Sequence, residues 1–268
     1  MKIAGSTVLV TGASGGIGGA IARQLARQGA NLIVVSRDAE KLNNLSGDLQ
    51  STGVRVVPLV ADLARPDVPC AVVKDALRSF DAVDIVINCA GIQNFGFFVD
   101  EATADTAALF HVNVIAPMAL VNAILPHMLE RKKGQIVNVG SIFGSIGFPC
   151  FASYSASKFA LRGFSEALRR ELSGSGVGVT YIAPRFTRTA FNRDTVTRMA
   201  NVLKMGQDEP QAVAASVISA IEHDGRDRYL GWPERLFVRV NSIWPQLVDR
   251  CMASQVEKMR PFAAEADR

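Results

Sequence analysis

Six short runs of aliphatic, mostly β-branched residues recur along the chain, and their spacing limits the fold more than any other feature. They are TVLV (7–10), NLIVVS (31–36), VRVVPLV (54–60), VDIVIN (83–88), QIVNVG (135–140) and VGVTYIA (177–183). Near-continuous apolar runs of this length read as strands buried on both faces. Helix-length segments separate them at 17–29, 38–52, 67–80, 101–130 and 154–174. Alternation of this kind builds βαβ units, a parallel sheet with helices on both faces. Right-handed crossovers make the sheet doubly wound. A helix at 209–224 and a short strand RYLG (228–231) complete it. No change of composition divides the 268 residues, so one domain is expected over 1–268, with its core at about 5–231.

Two stretches break the rhythm. Residues 184–208 are polar and irregular and follow the sixth strand. A loop at the carboxyl end of a parallel strand is where such sheets bind ligands, so this one reads either as a mobile substrate lid or as a surface connection. Residues 232–268 then form a C-terminal amphipathic helical extension, with Trp232, Leu236, Phe237, Val240, Ile243, Trp244 and Leu247 set among arginines. Such a segment can dock on the sheet, cover a partner or lie on a membrane surface. An internal helix is the first expectation.

Composition removes several classes. The net charge is +4, and its basic residues are scattered, which suits anionic small ligands and not nucleic acid. Cys70, Cys89, Cys150 and Cys251 lie far apart, and His111, His127 and His223 complete no ligand spacing, so no metal site is expected. Dispersed thiols fit a reducing compartment. The chain runs from its first residues straight into a strand-like segment, and no apolar run reaches about 18 residues. A cytoplasmic protein without a signal peptide or membrane span is the expectation, membrane association through the extension being the alternative.

The segment TGASGGIG (11–18) joins the first strand to the first helix. A glycine turn there lets backbone approach a pyrophosphate, and the helix N-terminus adds free N–H groups and partial positive charge. Gly12, Gly16 and Gly18 are the close-approach positions, and Ile17 seats the helix on the sheet. A second motif is YSASK, Tyr154–Lys158. With three tyrosines and eight lysines in the chain, about 0.1 pairs at that offset are expected by chance. Four residues apart on a helix, the two side chains share a face. A phenol near its reference pKa of about 10 is a poor acid–base group at neutrality, and a neighbouring cation favours the phenolate.

Together the TGxxxGxG spacing and YSASK resemble the short-chain dehydrogenase/reductase family, single-domain branch. The resemblance implies a Rossmann-type sheet of seven parallel strands and hydride transfer between NAD(H) or NADP(H) and a carbonyl or alcohol. It implies Tyr154 as acid/base and as a cofactor contact, with Lys158 tuning it and bonding the nicotinamide ribose. Ser141, at the end of the fifth strand and thirteen positions before Tyr154, becomes the carbonyl polariser, with Ser145 as a lower-ranked alternative. Asn113 in HVNVIAP matches the asparagine that holds a relay water below the lysine. On the cofactor side, Asp62 accepts from the adenine amino group, with the Leu63 N–H on the ring, and Asp62 as a helix N-cap is the competing role. NCAG replaces the usual NNAG: Asn88 ties strand ends, Ala90 and Gly91 leave room for ribose, and Cys89 is a departure. Pro184, Thr187 and Thr189 match the PGxxxT segment, but Arg185 stands in place of its glycine. That arginine either points away, reaches a substrate anion or reshapes the pocket floor.

The second strand ends VVSRD, where an NAD site carries an acidic residue. Here Ser36 precedes Arg37. A guanidinium pairs with a 2′-phosphate that a carboxylate would repel. Ser36 and Ser14 add hydroxyls, and Asp38 caps the next helix. NADP(H) is therefore expected ahead of NAD(H), although Gly15 stands where some relatives carry a second basic residue. The loops IQNFGFFV (92–99), IFGSIGFPCF (142–151) and RFTRTAF (185–191) are rich in apolar and aromatic residues. They suit a lipophilic substrate: 3-oxoacyl, steroid-like or aromatic. The long fourth and fifth helices resemble those that build the family's dimers, so a homodimer or homotetramer is expected. The competing functional reading is a catalytically silent NADP-binding regulatory or membrane-surface scaffold protein of the same fold.

Overall fold

The computed structural model describes residues 1–266. Its strands are β1 (Thr7–Thr11), β2 (Asn31–Ser36), β3 (Val56–Val60), β4 (Ile85–Asn88), β5 (Gly134–Val139), β6 (Val177–Ala183), β7 (Phe186–Thr187), β8 (Gln207–Asp208) and β9 (Asp227–Tyr229). Seven of them form one sheet in the order β3-β2-β1-β4-β5-β6-β9, every pair parallel. This is the Rossmann-type doubly wound sheet that the strand spacing predicts. The order reverses between β1 and β4, so the crevice outside their carboxyl ends is the topological switch point.

The helices are α1 (Gly16–Arg27), α2 (Ala39–Gln50), α3 (Val68–Ser79), α4 (Thr103–Phe110), α5 (Ala116–Glu130), α6 (Ala152–Glu171), α7 (Asp194–Val202), α8 (Pro210–Glu222), α9 (Glu234–Ile243) and α10 (Pro245–Ala266). Strand alternation sorts the core into two layers. Val8, Val10, Leu32, Val34, Ile85, Ile87 and Val137 face α1, α2 and α8. Leu9, Ile33, Val35, Val86 and Ile136 face α3, α5 and α6. Val, Ile and Leu on both faces explain why the strands read as continuous apolar runs rather than alternating ones.

Residues 101–130 do not form one plain helix. A π-helical turn at His111–Ile115 joins α4 to α5. Such turns carry an extra residue per turn and occur often at functional sites. Asn113 lies in it, buried. The Thr103–Glu130 segment is long and apolar enough to cross a membrane. In the fold it packs on α3 and α6 as a layer helix.

Residues 184–208 differ from the irregular lid or connection expected. They hold the short β7–β8 pair and α7, whose Val196, Met199 and Ala200 are buried. The i, i+3, i+4 spacing of those three is a helical stripe, but the polar residues around it hide it in sequence. The C-terminal extension is helical, as expected, in two pieces. Val238, Val248 and Met252 pack beside Tyr181 and Ile146, and Met259 and Ala263 pack beside Phe95, Leu109 and Phe151. Its inner side thus forms part of the fold.

Candidate active site

One cavity of about 550 Å³ runs along the crevice, from the glycine loop past the end of β2 to Tyr154 and on to α7 and α9. Its nucleotide half is shaped by backbone. Gly12 has φ +66°, and a Cβ there would lie 2.8 Å from Ala90 Cα. A Cβ on Gly18 would meet the Gly12 carbonyl oxygen at 2.2 Å, and one on Gly16 would meet Thr189 Cγ2 at 2.3 Å. No other residue type fits these three positions without displacing neighbours. Ile17 and Thr189 line the same wall. Thr11 Oγ1 accepts from the Cys89 and Ala90 N–H groups, at 3.0 and 3.1 Å, and so bridges β1 and β4 across the switch point. Thr11 is a residue that sequence reasoning missed.

At the end of β2 the Ser14 and Ser36 hydroxyls lie 2.5 Å apart. Arg37 is exposed and lines the cavity rim. Asp38 caps α2, accepting from the Lys41 N–H at 3.0 Å, and also pairs with the Lys41 ammonium at 2.8 Å. Lys41 lines the cavity too. Its position one turn into α2 gave no signal in sequence. Asp62 is exposed and accepts from the Ala64 N–H at 3.0 Å. It does not cap α3, which begins at Val68, so the competing N-cap role is not taken. Leu63 beside it is buried.

Asn88 Nδ2 donates to Asn138 Oδ1 at 2.8 Å, and Asn138 Nδ2 donates to Ser165 Oγ at 2.8 Å. That chain fastens β4, β5 and α6 together beneath the site. Asn113 is held equally tightly. Its Oδ1 accepts from the Ile92 N–H at 2.9 Å, and its Nδ2 donates to the Ile92 carbonyl at 2.9 Å and to Ser157 Oγ at 3.1 Å. Both amide hydrogens are engaged, so a relay water here would have to donate to the Asn113 Oδ1 or main-chain carbonyl. Gly91 lies directly above it: a Cβ there would sit 3.2 Å from Asn113 Oδ1 and 3.6 Å from Lys158 Nζ.

Tyr154 and Lys158 are buried on one face of α6, 7% and 4% exposed. Lys158 Nζ lies 5.7 Å from the Tyr154 ring centroid and donates to the Val139 carbonyl at 3.3 Å. Burial pushes the Tyr154 phenol up to about 12, with a hydrogen bond to Ser141 acting in the opposite direction. Burial also pulls Lys158 down to about 8. The expectation that Lys158 lowers the phenol is therefore corrected for the ligand-free site. Desolvation acts on both groups, and it loosens the very proton whose charge was to do the tuning. Burial likewise pushes the Cys89 thiol up to about 12, leaving it neutral.

Ser141 follows β5 in extended conformation and accepts from the Phe143 N–H at 3.1 Å. The Tyr181 hydroxyl supports it from below, donating to the Ser141 carbonyl at 3.2 Å. A Cβ on Gly140 or Gly144 would clash with that hydroxyl. Tyr181 and these glycines are further residues that motif reading missed. The alternative Ser145 accepts from Arg162 Nη1 at 3.0 Å and is no part of the cavity lining.

The substrate half is built from side chains. Phe143, Phe151 and Phe191 surround Tyr154 with ring centroids 6.2–6.4 Å away. Phe148, Phe186, Val196, Met199, Phe237 and Met252 extend this wall. Of the loop 92–99, only Ile92 and Gln93 line the cavity, whereas Phe98 and Val99 point to solvent. Arg185 turns away from the nucleotide side. Its guanidinium pairs with Asp208 at 2.8 Å and Glu234 at 3.2 Å, and it is packed against Gly206 and Gly231. It anchors the start of α9 and borders the cavity there, its charge balanced by the two carboxylates and its Nε without a partner among the described residues. Pro184 accepts from the Ile142 N–H at 2.9 Å, and the Thr187 hydroxyl donates to the Arg185 carbonyl at 3.1 Å.

Sheet order, glycine cradle and a buried tyrosine–lysine pair at the switch point define a dinucleotide-dependent oxidoreductase site. The short chain dehydrogenase model matches residues 6–200, and the chain belongs to that family. It is 32% identical to the ketoacyl reductase HetN of Nostoc sp. over 255 residues, 92% of this chain and 88% of that protein. A short-chain dehydrogenase from Sphingobium yanoikuyae, solved in complex with NADPH, has a TM-score of 0.77 at 30% identity, covering 91% of this chain and 96% of that one. A Burkholderia phymatum family structure in complex with NAD has a TM-score of 0.85 at 24% identity, covering 92% and 96%, and shares the fold.

Proposed function

We propose that the chain is an NADP(H)-dependent reductase or dehydrogenase of a lipophilic carbonyl or alcohol: a 3-oxoacyl, steroid-like or aromatic compound. The observation that carries this is the placement of Tyr154, with Ser141 beside it, inside an aromatic chamber continuous with the glycine cradle. The residues fit the nucleotide. Gly12, Gly16, Gly18 and Ile17 would hold the pyrophosphate side. Asp62, Leu63, Asn88, Ala90 and Gly91 would border adenine and ribose. Pro184, Thr187 and Thr189 would border the nicotinamide. Ser14, Ser36 and Arg37, which takes part in no ion pair among the described residues, sit where a 2′-phosphate needs donors, and the Asp38 carboxylate on the same rim is countered by the Lys41 N–H and ammonium.

Bound NADP(H) supplies or accepts the hydride at the carbonyl carbon. In the reducing direction the Tyr154 hydroxyl gives its proton to the substrate oxygen. Its burial holds that proton on the phenol at neutral pH, as an acid requires. Ser141 donates to the same oxygen and polarises the carbonyl. The Lys158 ammonium stabilises the phenolate left behind. The aromatic wall excludes water and selects apolar substrates. The outward apolar residues Ile115, Met118 and Phe159 support a homo-oligomer built on α5 and α6. Four free thiols among the described residues support a reducing, cytoplasmic setting.

The test is a carbonyl panel followed by NADPH absorbance. Tyr154→Phe should lower kcat by at least about a thousandfold while leaving NADPH affinity unchanged. Full turnover in that variant would remove the assignment, and NADPH binding without oxidation across the panel would favour the silent scaffold instead. Arg37→Asp should weaken NADPH by roughly tenfold to a hundredfold and favour NADH, and an unchanged NADPH Kd would refute the role of Arg37.

A further inference from the structure

Six of the fifteen exposed large apolar side chains among the described residues fall between 232 and 247: Trp232, Leu236, Phe237, Ile243, Trp244 and Leu247. Both tryptophans of the chain are among them. Ile243 is 85% exposed, Trp232 71% and Trp244 61%. Leu236 and Ile243 stand at i and i+7 on the outer side of α9, with Val240 between them half-buried against Val238 and Val248. The inner side is fixed. Val238 is buried, Asn241 Nδ2 donates to the Ser145 carbonyl at 2.9 Å, and Glu234 is held by Arg185. A rigid helix therefore presents Leu236 and Ile243 to the outside.

Arg235, Arg239 and Arg250 are exposed on α9 and the start of α10, and Asp249 is the only exposed acid between 232 and 250 among the described residues. None of the three arginines takes part in an ion pair among the described residues. We propose that this face docks in the plane of an anionic lipid bilayer, with Trp232, Ile243, Trp244 and Leu247 entering the headgroup boundary and the arginines meeting lipid phosphates. The charges argue against a second copy as the occupant: in a two-fold contact the patch meets itself, and the arginine cluster would face its own image. Spanning is ruled out by length, because α9 has ten residues, about 15 Å of helix.

Phe237 and Met252 belong both to this region and to the cavity wall. Docked in this way, the mouth of the substrate chamber lies against the lipid, and an apolar substrate passes from bilayer to chamber without crossing water. This last consequence rests on the lipophilic-substrate reading; the docking itself does not.

The experiment uses the full chain and vesicles of phosphatidylcholine with or without phosphatidylserine. Because both tryptophans lie on the patch, their emission reports it alone. The expected result is cosedimentation with anionic vesicles, a blue shift, and quenching by lipids brominated on the acyl chain. Each net cation at an anionic surface is worth roughly a fivefold gain, so two net charges should favour anionic over neutral vesicles by roughly thirtyfold. Leu236→Ser with Ile243→Ser should weaken partition at least about tenfold, with the melting temperature and NADPH affinity unchanged. Three results would overturn the proposal: no preference for anionic vesicles, binding without acyl-chain quenching, or a change of oligomeric state in the serine variant in place of lost vesicle binding. No arm reads turnover, so failure here leaves the catalytic reading standing.

Discussion

The two halves of the cleft are made differently. The nucleotide half is backbone brought close by missing side chains: Gly12, Gly16 and Gly18 lie where a Cβ would strike a main-chain atom or Thr189. The substrate half is side chain, with phenylalanines from the loops 142–151 and 185–191, Met199 from α7, and Phe237 and Met252 from the extension. A backbone cradle tolerates almost no substitution but needs few residues. A side-chain wall is assembled from distant segments and tolerates exchange of volume for volume. The first suits a ligand that never changes, and the second suits one that differs from relative to relative.

The largest expected effect tests the rigidity of the first half. Gly18→Ala places a methyl 2.2 Å from the Gly12 carbonyl oxygen, backbone that cannot swing aside. Nucleotide affinity should fall at least about a hundredfold, and stability by about 2 kcal/mol or more, as overpacking does. Phe148→Ala on the substrate side should leave NADPH affinity within about twofold, while changing KM across a substrate panel. Calorimetric titration of NADPH into both variants decides it. If Gly18→Ala binds normally, the contrast between the halves fails.

Lys158 lies where the halves meet, and it yields the second prediction. Its folded value, about 8, is below the ordinary 10.5. Between those values the unfolded chain holds a proton that the folded chain has released. Stability therefore rises with pH across about 8 to 10.5, and the full penalty of burying the ammonium is carried below pH 8. Lys158→Met removes that penalty and should stabilise the ligand-free chain at pH 7 by about 2 kcal/mol, while lowering kcat at least about a hundredfold. Melting curves at pH 7 and 10 should converge for the variant relative to the parent. In the parent, kcat/KM for carbonyl reduction should be flat below about pH 8 and fall above it as the ammonium is lost. A profile still flat at pH 9.5 would deny that the ammonium form is required.

The same division explains what the sequence made legible. The strand segments, the glycine loop and the Tyr154–Lys158 pair rest on local spacing, and each stands in the element that its pattern predicts. Helix α7 did not read as a helix, because its buried stripe, Val196, Met199 and Ala200, is masked by threonine and arginine. Tyr181 carries no motif, yet its hydroxyl supports Ser141 from forty residues away. Asn113 was legible as a site residue but not in the partners of its amide, Ile92 and Ser157, which arrive from other elements. The direction of the Tyr154 shift was misread because a charge four residues away is visible in sequence and desolvation is not. Arg185 stood out as a departure from the family pattern, but its partners, Asp208 and Glu234, are joined to it only by the fold.

Arg185 provides the smallest and most discriminating test, because it is a nucleotide-side position given over to the substrate side. Arg185→Gly restores the family residue. It also leaves Asp208 and Glu234, each about a fifth exposed, facing one another without a cation. Partial exposure softens the cost of breaking such a cluster to about 1–2 kcal/mol. Once the anchor is gone, the start of α9 is free to shift, and Phe237 shifts with it. KM for a bulky apolar ketone should rise about threefold to tenfold, with kcat and NADPH affinity within about twofold. Adding Asp208→Asn and Glu234→Gln should recover stability by removing the like-charge contact, but it should not recover KM, because neutral amides do not replace the guanidinium bridge to the Trp232 carbonyl and α9. If Arg185→Gly instead changes NADPH affinity and leaves KM alone, Arg185 belongs to the nucleotide half after all, and the boundary between the halves lies nearer α9 than Thr187.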